Sequence, residues 1–210
     1  CLHDVNSSLS EEMGEAFRIQ GGYIHKSLPI NSNLFGFEEK MSVGLHLQRD
    51  IDALKYLSVT YKNINLNQIF STVALHHIST INSAYCIAFL KFLKSQNPIF
   101  VGNHNIDKNI VDKLFGNIHI RTPSSNSYNE IDRIGQELIH VLDGVDDFKV
   151  VVVAMGCPGR ILQKRIVNKG YNVYLFDFGS LLDAFNGEQT RAWVRLTGGV
   201  NSYMDLLNKI

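Results

Sequence analysis

The stretch Lys149-Val150-Val151-Val152-Val153-Ala154-Met155, followed by Gly156-Cys157-Pro158-Gly159-Arg160, decides how the rest of the chain is read. A continuous apolar run without polar alternation is the pattern of a strand buried on both faces, as strands of parallel sheets are. Pro158 suits the first turn of a helix, where its missing N–H costs nothing. The helix runs on through Ile161-Leu162-Gln163-Lys164-Arg165-Ile166-Val167, and Gly170 closes it. A second strand over 171–176 ends in Asp177-Phe178-Gly179-Ser180. In open parallel sheets ligands sit at the carboxyl ends of strands, and anions favour helix N-termini. Gly156, Cys157, Pro158, Gly159 and Arg160 are therefore expected to line one crevice with residues 177–183. The turn is not GxGxxG, and its glycines are equally explained by the need to turn the chain.

Outward from this unit, the pattern repeats. Ile99-Phe100-Val101-Gly102-Asn103 reads as a strand ending in a polar turn, and 105–115 as a helix with Ile106, Ile110, Val111 and Leu114 inward. A strand at 118–120 leads into the polar loop Arg121-Thr122-Pro123-Ser124-Ser125-Asn126. Ser127-Tyr128-Asn129-Glu130 reads as a capping box for a helix burying Ile131, Ile134, Leu138 and Val141. Beyond the central unit come one helical turn within 177–186, a short helix in 187–196 carrying Trp193, and a terminal helix over 200–210. Strand and helix alternating from 99 to 185 predict right-handed crossovers and a parallel sheet.

Upstream, residues 37–61 and 72–94 have helical periodicity. Leu47, Ile51 and Leu54 share one face, and Ile81, Ala84, Ala88 and Phe92 are the expected buried stripe of the later helix. Residues 1–210 are expected to form a single α/β domain, with 37–95 as a helical cap and 97–193 as the nucleotide-binding half. Ser10 is the expected N-cap of a short helix in the polar opening segment. The chain begins with Cys rather than Met, so it is expected to be part of a longer one.

Composition narrows the function. Lys plus Arg and Asp plus Glu number 20 each, giving zero formal charge, so no polyanion-binding surface is implied and nucleic acid is disfavoured as a partner. Three cysteines far apart in sequence form no zinc spacing and read as reduced thiols, which suits the cytoplasm. No apolar run reaches the ~20 residues of a membrane helix. Asp50-Ile51-Asp52 matches a D-x-D metal pattern, yet residues two apart diverge on a helix. His76-His77 diverge likewise. Asp177-Phe178-Gly179 spells a kinase tripeptide without the HRD loop or third-strand lysine that a kinase requires.

Four features in order carry a resemblance: Val101-Gly102-Asn103 at a strand end; Thr122-Pro123-x-x-Asn126-x-Tyr128 before Ile131-Asp132-Arg133-Ile134; Ala154-Met155-Gly156-Cys157-Pro158-Gly159 before Ile161-Leu162; and Gly170-Tyr171 leading to Phe176-Asp177-Phe178-Gly179-Ser180. Together, over about residues 97–193, they resemble the GT-D fold glycosyltransferases, bacterial enzymes that use nucleotide sugars to build surface glycans or to glycosylate adhesins. The resemblance implies a Rossmann-like parallel sheet flanked by helices, a nucleotide-sugar donor with UDP first, a glycan or glycoprotein acceptor, and Mn2+ or Mg2+. It also allows other glycosyltransferase domains in the same chain. The family's Asp-x-Glu metal motif has its positional counterpart in His3-Asp4-Val5-Asn6, making Asp4 and Asn6 the metal candidates. Asn6 stands where the family has Glu, and a neutral amide is a weaker ligand for a hard cation.

On this reading the N–H groups of 157–160 and the Arg160 guanidinium meet the donor diphosphate. Asn126 and Tyr128 hold base or ribose, and Asn103, Pro123 and Ser180 share their rim. Asp177 is the first candidate for the base that activates the acceptor hydroxyl, with Asp183 next. Asp177 would equally cap the turn that follows it. Arg191 either clamps a phosphate or pairs with Asp183. Two alternatives stand beside this one: a non-catalytic GT-D-like module within a glycan-synthesis protein, and another Rossmann-like enzyme using NAD or S-adenosylmethionine. The missing GxGxxG disfavours NAD.

Overall fold

The computed structural model describes residues 82–210 except 146, 192, 193 and 196, together with Ser8, Leu9, Glu11, Glu12, Leu75 and Ser79. In chain order the elements are α1 (Ser83–Ser95), β1 (Ile99–Asn103), α2 (Lys108–Leu114), β2 (His119–Thr122), a 3-10 turn (Ser127–Glu130), α3 (Ile131–Asp143), β3 (Lys149–Ala154), α4 (Cys157–Asn168), β4 (Val173–Asp177), α5 (Leu181–Phe185) and α6 (Gly199–Asn208).

The valine run forms β3, and its alternate side chains enter different cores. Val150 and Val152 pack with Phe100 and Phe176 under α1, α2, α5 and α6. Val151 and Val153 pack with Val101, Ile120 and Leu175 under α3 and α4. A strand buried on both faces has no solvent side to carry polar residues, which explains the absence of alternation.

The described strands form one four-stranded sheet in the order β2-β1-β3-β4, and every neighbouring pair is parallel. This is the expected Rossmann-like architecture. The chain leaves β1 for α2 on one face and leaves β3 for α4 on the other, so the order reverses between these two central strands. Their carboxyl ends lie side by side, with Gly102 opposite Ala154. In open parallel sheets such a reversal is where ligands bind.

Several local expectations need correction. In α1 the buried residues are Cys86, Leu90 and Leu93, while Ala84 and Ala88 are exposed and Phe92 is 60% exposed. Ile81 lies outside the described residues. Leucine removes more apolar area from water than alanine does, so the leucine-bearing face wins. The last inward residue of α3 is Leu142 rather than Val141, which is only partly buried. No capping box forms at 127–130, for neither the 3-10 turn nor α3 has a side-chain cap. The Glu130 carboxylate turns instead to Arg133, 2.6 Å away. The helix expected over 105–115 begins at Lys108, where Asp107 caps it by accepting the Asn109 N–H at 2.7 Å. Ser8 and Leu9 are already helical ahead of Ser10. Apart from Leu75 and Ser79, residues 13–81 lie outside the described part, and with them Asp50, Asp52, His76 and His77. Among the described residues no helix is long and apolar enough to cross a membrane.

Candidate functional site

Because all four strands run the same way, their carboxyl ends form one rim. Along it lie, in spatial order, Pro123 after β2, Asn103 ending β1, Gly156 after β3 and Asp177 ending β4. The crevice residues expected at 156–160 and 177–183 thus occupy the same edge, on adjacent strands. Val153 is the register partner of Asp177, and the Phe178 N–H donates to Val153 O at 3.0 Å.

The turn into α4 uses its two glycines differently. Gly156 has φ +66°, a conformation that side chains rarely adopt. Gly159 faces the sheet: a Cβ there would lie 2.8 Å from Val153 Cγ1 and 3.0 Å from Met155 Cγ. The first glycine turns the chain, and the second lets the helix approach the strand. Gly159 donates its N–H to Gly156 O at 3.1 Å, and Pro158 has none to give. The tip of the helix turns the positive end of its dipole toward the rim, where an anion is favoured.

Arg160, on the first turn of α4, reaches Asp177 on β4 with Nη2 3.7 Å from Oδ2, and both side chains are nearly buried, at 12% and 9% exposed. The Asp177 Oδ1 accepts the Gly179 N–H at 3.0 Å, holding the turn after the strand; the cap position of α5 itself belongs to Ser180. Burial pushes the Asp177 carboxyl up to about 6, against the opposing pull of Arg160 and of the Gly179 N–H. A carboxyl with that affinity is ionised at neutral pH yet holds a proton more readily than an exposed one, as a general base must.

The remaining candidates fall into two groups. Asp183, on α5, accepts the Thr190 hydroxyl at 2.7 Å, and burial raises its pKa while Thr190 and Arg191 oppose the rise. The exposed Arg191 donates to Thr190 O at 3.2 Å. On the opposite flank, Asn126 is exposed in the left-handed region at φ +53°. Tyr128 packs against Leu9, Ile131 and Ile161 and donates its hydroxyl to Glu12 Oε1 at 2.7 Å, which pushes the phenol up to about 12. Asn103 is bound to its own turn, accepting the Asn105 N–H at 2.9 Å. Arg160 and Asp177 are brought together; Tyr128 is tied to Glu12.

Asp4 and Asn6 lie outside the described residues. Among the described residues no three His, Cys, Asp or Glu side chains gather closely enough to hold a metal ion between them, so a Mn2+ or Mg2+ ion on the described rim would have at most one or two carboxylates, with water and phosphate completing its shell.

Two features escaped the sequence reading. Gln163 is fully buried in α4, and both its amide atoms lack a hydrogen-bond partner among the described residues. Its signal was a polar residue four positions after Gly159, on the sheet-facing stripe. Asn186 accepts the Asp107 N–H at 2.9 Å across 79 residues, joining the loop after β1 to the end of α5; nothing local announces such a contact.

No family model matches the chain, and no curated protein matches it. Solved structures do. A glycosyltransferase of the domain-of-unknown-function 1792 type from Streptococcus sanguinis superposes with TM-score 0.60 at 18% identity, over 94% of this chain and 72% of that one. A structure described as showing that this domain has a distinct glycosyltransferase fold gives TM-score 0.58 at 17% identity, over 94% and 69%. A selenomethionine-substituted structure of the same domain type gives 0.60 at 15% identity, over 94% and 69%. Parallel sheet and flanking helices together make this the GT-D glycosyltransferase fold.

Proposed function

We propose that the chain is a glycosyltransferase that moves a sugar from a nucleotide-sugar donor, a UDP-sugar first, to a glycan or glycoprotein acceptor. The observation that carries this reading is the meeting of Arg160, Asp177 and the N-terminus of α4 beside the β1–β3 reversal, on a fold shared with a solved glycosyltransferase.

In this mechanism the donor diphosphate lies over the start of α4. The helix dipole favours its charge. Arg160 turns part of its guanidinium from Asp177 to the phosphates and stabilises the charge that grows on the leaving nucleotide. Asp177, with its other oxygen fixed by Gly179, takes the proton of the acceptor hydroxyl as that oxygen attacks the sugar's anomeric carbon. The carbon–phosphate-oxygen bond breaks, and the electron pair leaves on the nucleotide. Asn103, Pro123, Asn126 and Tyr128 flank the base and ribose, while Ser180, Asp183 and Arg191 border the sugar. Mn2+ or Mg2+ at Asp4 and Asn6 belongs to the same proposal, and no step here passes through it. The cytoplasm, where nucleotide sugars are made, is the fitting location.

The test is UDP-sugar turnover by the purified chain and by Asp177→Ala. Transfer should disappear in the variant while UDP still binds within a few-fold of the parent. Undiminished turnover in the variant removes Asp177 from the mechanism, and failure of the parent to bind UDP or turn over a panel of UDP-sugars removes the proposal.

A further inference from the structure

Away from the Arg160–Asp177 pair lies a recess of ≈110 Å³, between the start of α1 and one side of α6. A buried water occupies roughly 10–15 Å³ on that scale, so the space takes a group the size of one sugar ring, partly embedded. Its place follows from the connections. α1 enters β1 through a three-residue turn, and Phe89 in the middle of α1 lies against Phe176 near the top of β4, with ring centroids 5.5 Å apart. The start of α1 therefore stands at the strand carboxyl ends, the end that carries Arg160 and Asp177. α6 packs against α5, the helix that follows Asp177.

The lining is chemically specific. Ser79, Ser83, Thr197, Ser202 and Tyr203 bring hydroxyls, each able to donate and accept. Asp205 adds a group that only accepts and Lys209 one that only donates. The two charges cancel, so neither an anion nor a cation is favoured. Leu206, buried beside Tyr203, gives the recess an apolar patch. Thr197 and Tyr203 share a hydrogen bond, and Ser202 donates to Gly198 O at 3.1 Å, so three of the hydroxyls are held in place. A neutral molecule with many hydroxyls and an apolar C–H face matches such a wall; a phosphate or a lipid tail does not.

We infer that this recess docks one neutral saccharide ring, and that the ring belongs to the acceptor. The second half of the statement rests on the glycosyltransferase reading; the first does not.

Saturation-transfer NMR separates the two. The probes are D-glucose, D-galactose and N-acetyl-D-glucosamine at millimolar concentration, with UDP in a parallel sample. At least one sugar should receive saturation from the parent chain, and the effect should fall several-fold in Asp205→Ala and in Ser83→Phe, which fills the recess. Both sites are exposed, so the variants should keep the parent's thermal midpoint. No transfer to any sugar, or transfer undiminished in both variants, overturns the saccharide site. Sugar binding without UDP binding keeps the site and overturns its role as the acceptor's. Binding of both, with sugar binding alone sensitive to the two substitutions, supports the whole inference.

Discussion

At the scale of single residues, Asp177 and Gln163 make opposite predictions. Asp177 binds its proton more tightly in the folded chain, up to about 6 against 3.8 for the free group. Between those values the folded state holds the proton and the unfolded state has released it, so this group's contribution to stability falls as pH rises from about 4 to 6. Asp177→Asn keeps an oxygen for the Gly179 N–H and removes the titration. Its unfolding free energy, followed by denaturant titration across that range, should decline less with pH than the parent's. Sugar transfer should respond the other way. The base must be ionised, so the parent's rate should climb through about pH 6, and Asp177→Asn should lose roughly 10²–10⁴-fold, the usual worth of a general base. Gln163 has no such task in the proposed chemistry, and a buried amide without partners costs about 1–3 kcal/mol. Gln163→Met keeps the volume and removes the polar atoms. It should raise the thermal midpoint by several degrees, since about 1 kcal/mol is worth about 2–4 °C in a domain of this size. A lowered midpoint would mean that the amide has a partner in the native chain.

At the scale of elements, α4 couples stability to the site. Gly159→Ala places a methyl 2.8 Å from Val153 Cγ1, on a strand buried on both faces, and 3.0 Å from Met155 Cγ. Overpacking of this kind costs about 1–3 kcal/mol, and any shift of α4 carries Arg160 with it. On the proposed mechanism the expected result is a lower unfolding midpoint together with weaker UDP binding, read by calorimetry on the same samples. Weakened stability with unchanged UDP affinity would separate the helix position from the proposed donor site. This element was among the easiest to read in advance. Its strand is a bare valine run, its proline sits where helices tolerate one, and Gly170 ends it at φ +80°. The apolar residues of α1 nearly encircle it, so the alanine spacing points to one face while Cys86, Leu90 and Leu93 bury another. The capping box at Ser127 failed because Arg133 competes for Glu130, a contest that a spacing rule does not include. The site was half legible. Strand ends follow from alternation, so Gly156, Arg160 and Asp177 could be placed on one rim. The tie between Tyr128 and Glu12 could not, since it spans 116 residues.

At the scale of the whole molecule, that same tie joins the beginning of the chain to its second half. The Glu12 carboxylate takes the Arg165 Nη2 at 3.0 Å and the Tyr128 hydroxyl at 2.7 Å, while Arg165 Nη1 reaches Asp132 at 2.6 Å. Beside it, Leu9 packs on Ile131 and Ile161. One carboxylate therefore links the early helical residues to the rim loop after β2, with Arg165 carrying the link to α3 and α4. The Arg165 and Glu12 side chains are about one-third exposed, at 33% and 31%, so solvent screens the pair and its worth is at most about 1 kcal/mol. Leu9 supplies the apolar share. Arg165→Met should leave the global midpoint within a few degrees of the parent's but speed amide exchange at Leu9, Glu11 and Glu12, because local opening then has to break only the Tyr128–Glu12 hydrogen bond and the packing of Leu9. Glu12→Gln should in addition lower the Tyr128 phenol from about 12 toward its ordinary 10, since the carboxylate that holds its proton is the leading cause of the rise. Between pH 10 and 12 the parent holds this proton only when folded, so its stability falls across that window, and the Glu12→Gln chain should lose less over the same range. Exchange and phenol titration unchanged in both variants would mean that packing by Leu9 alone docks the segment, and that the polar network merely decorates the contact.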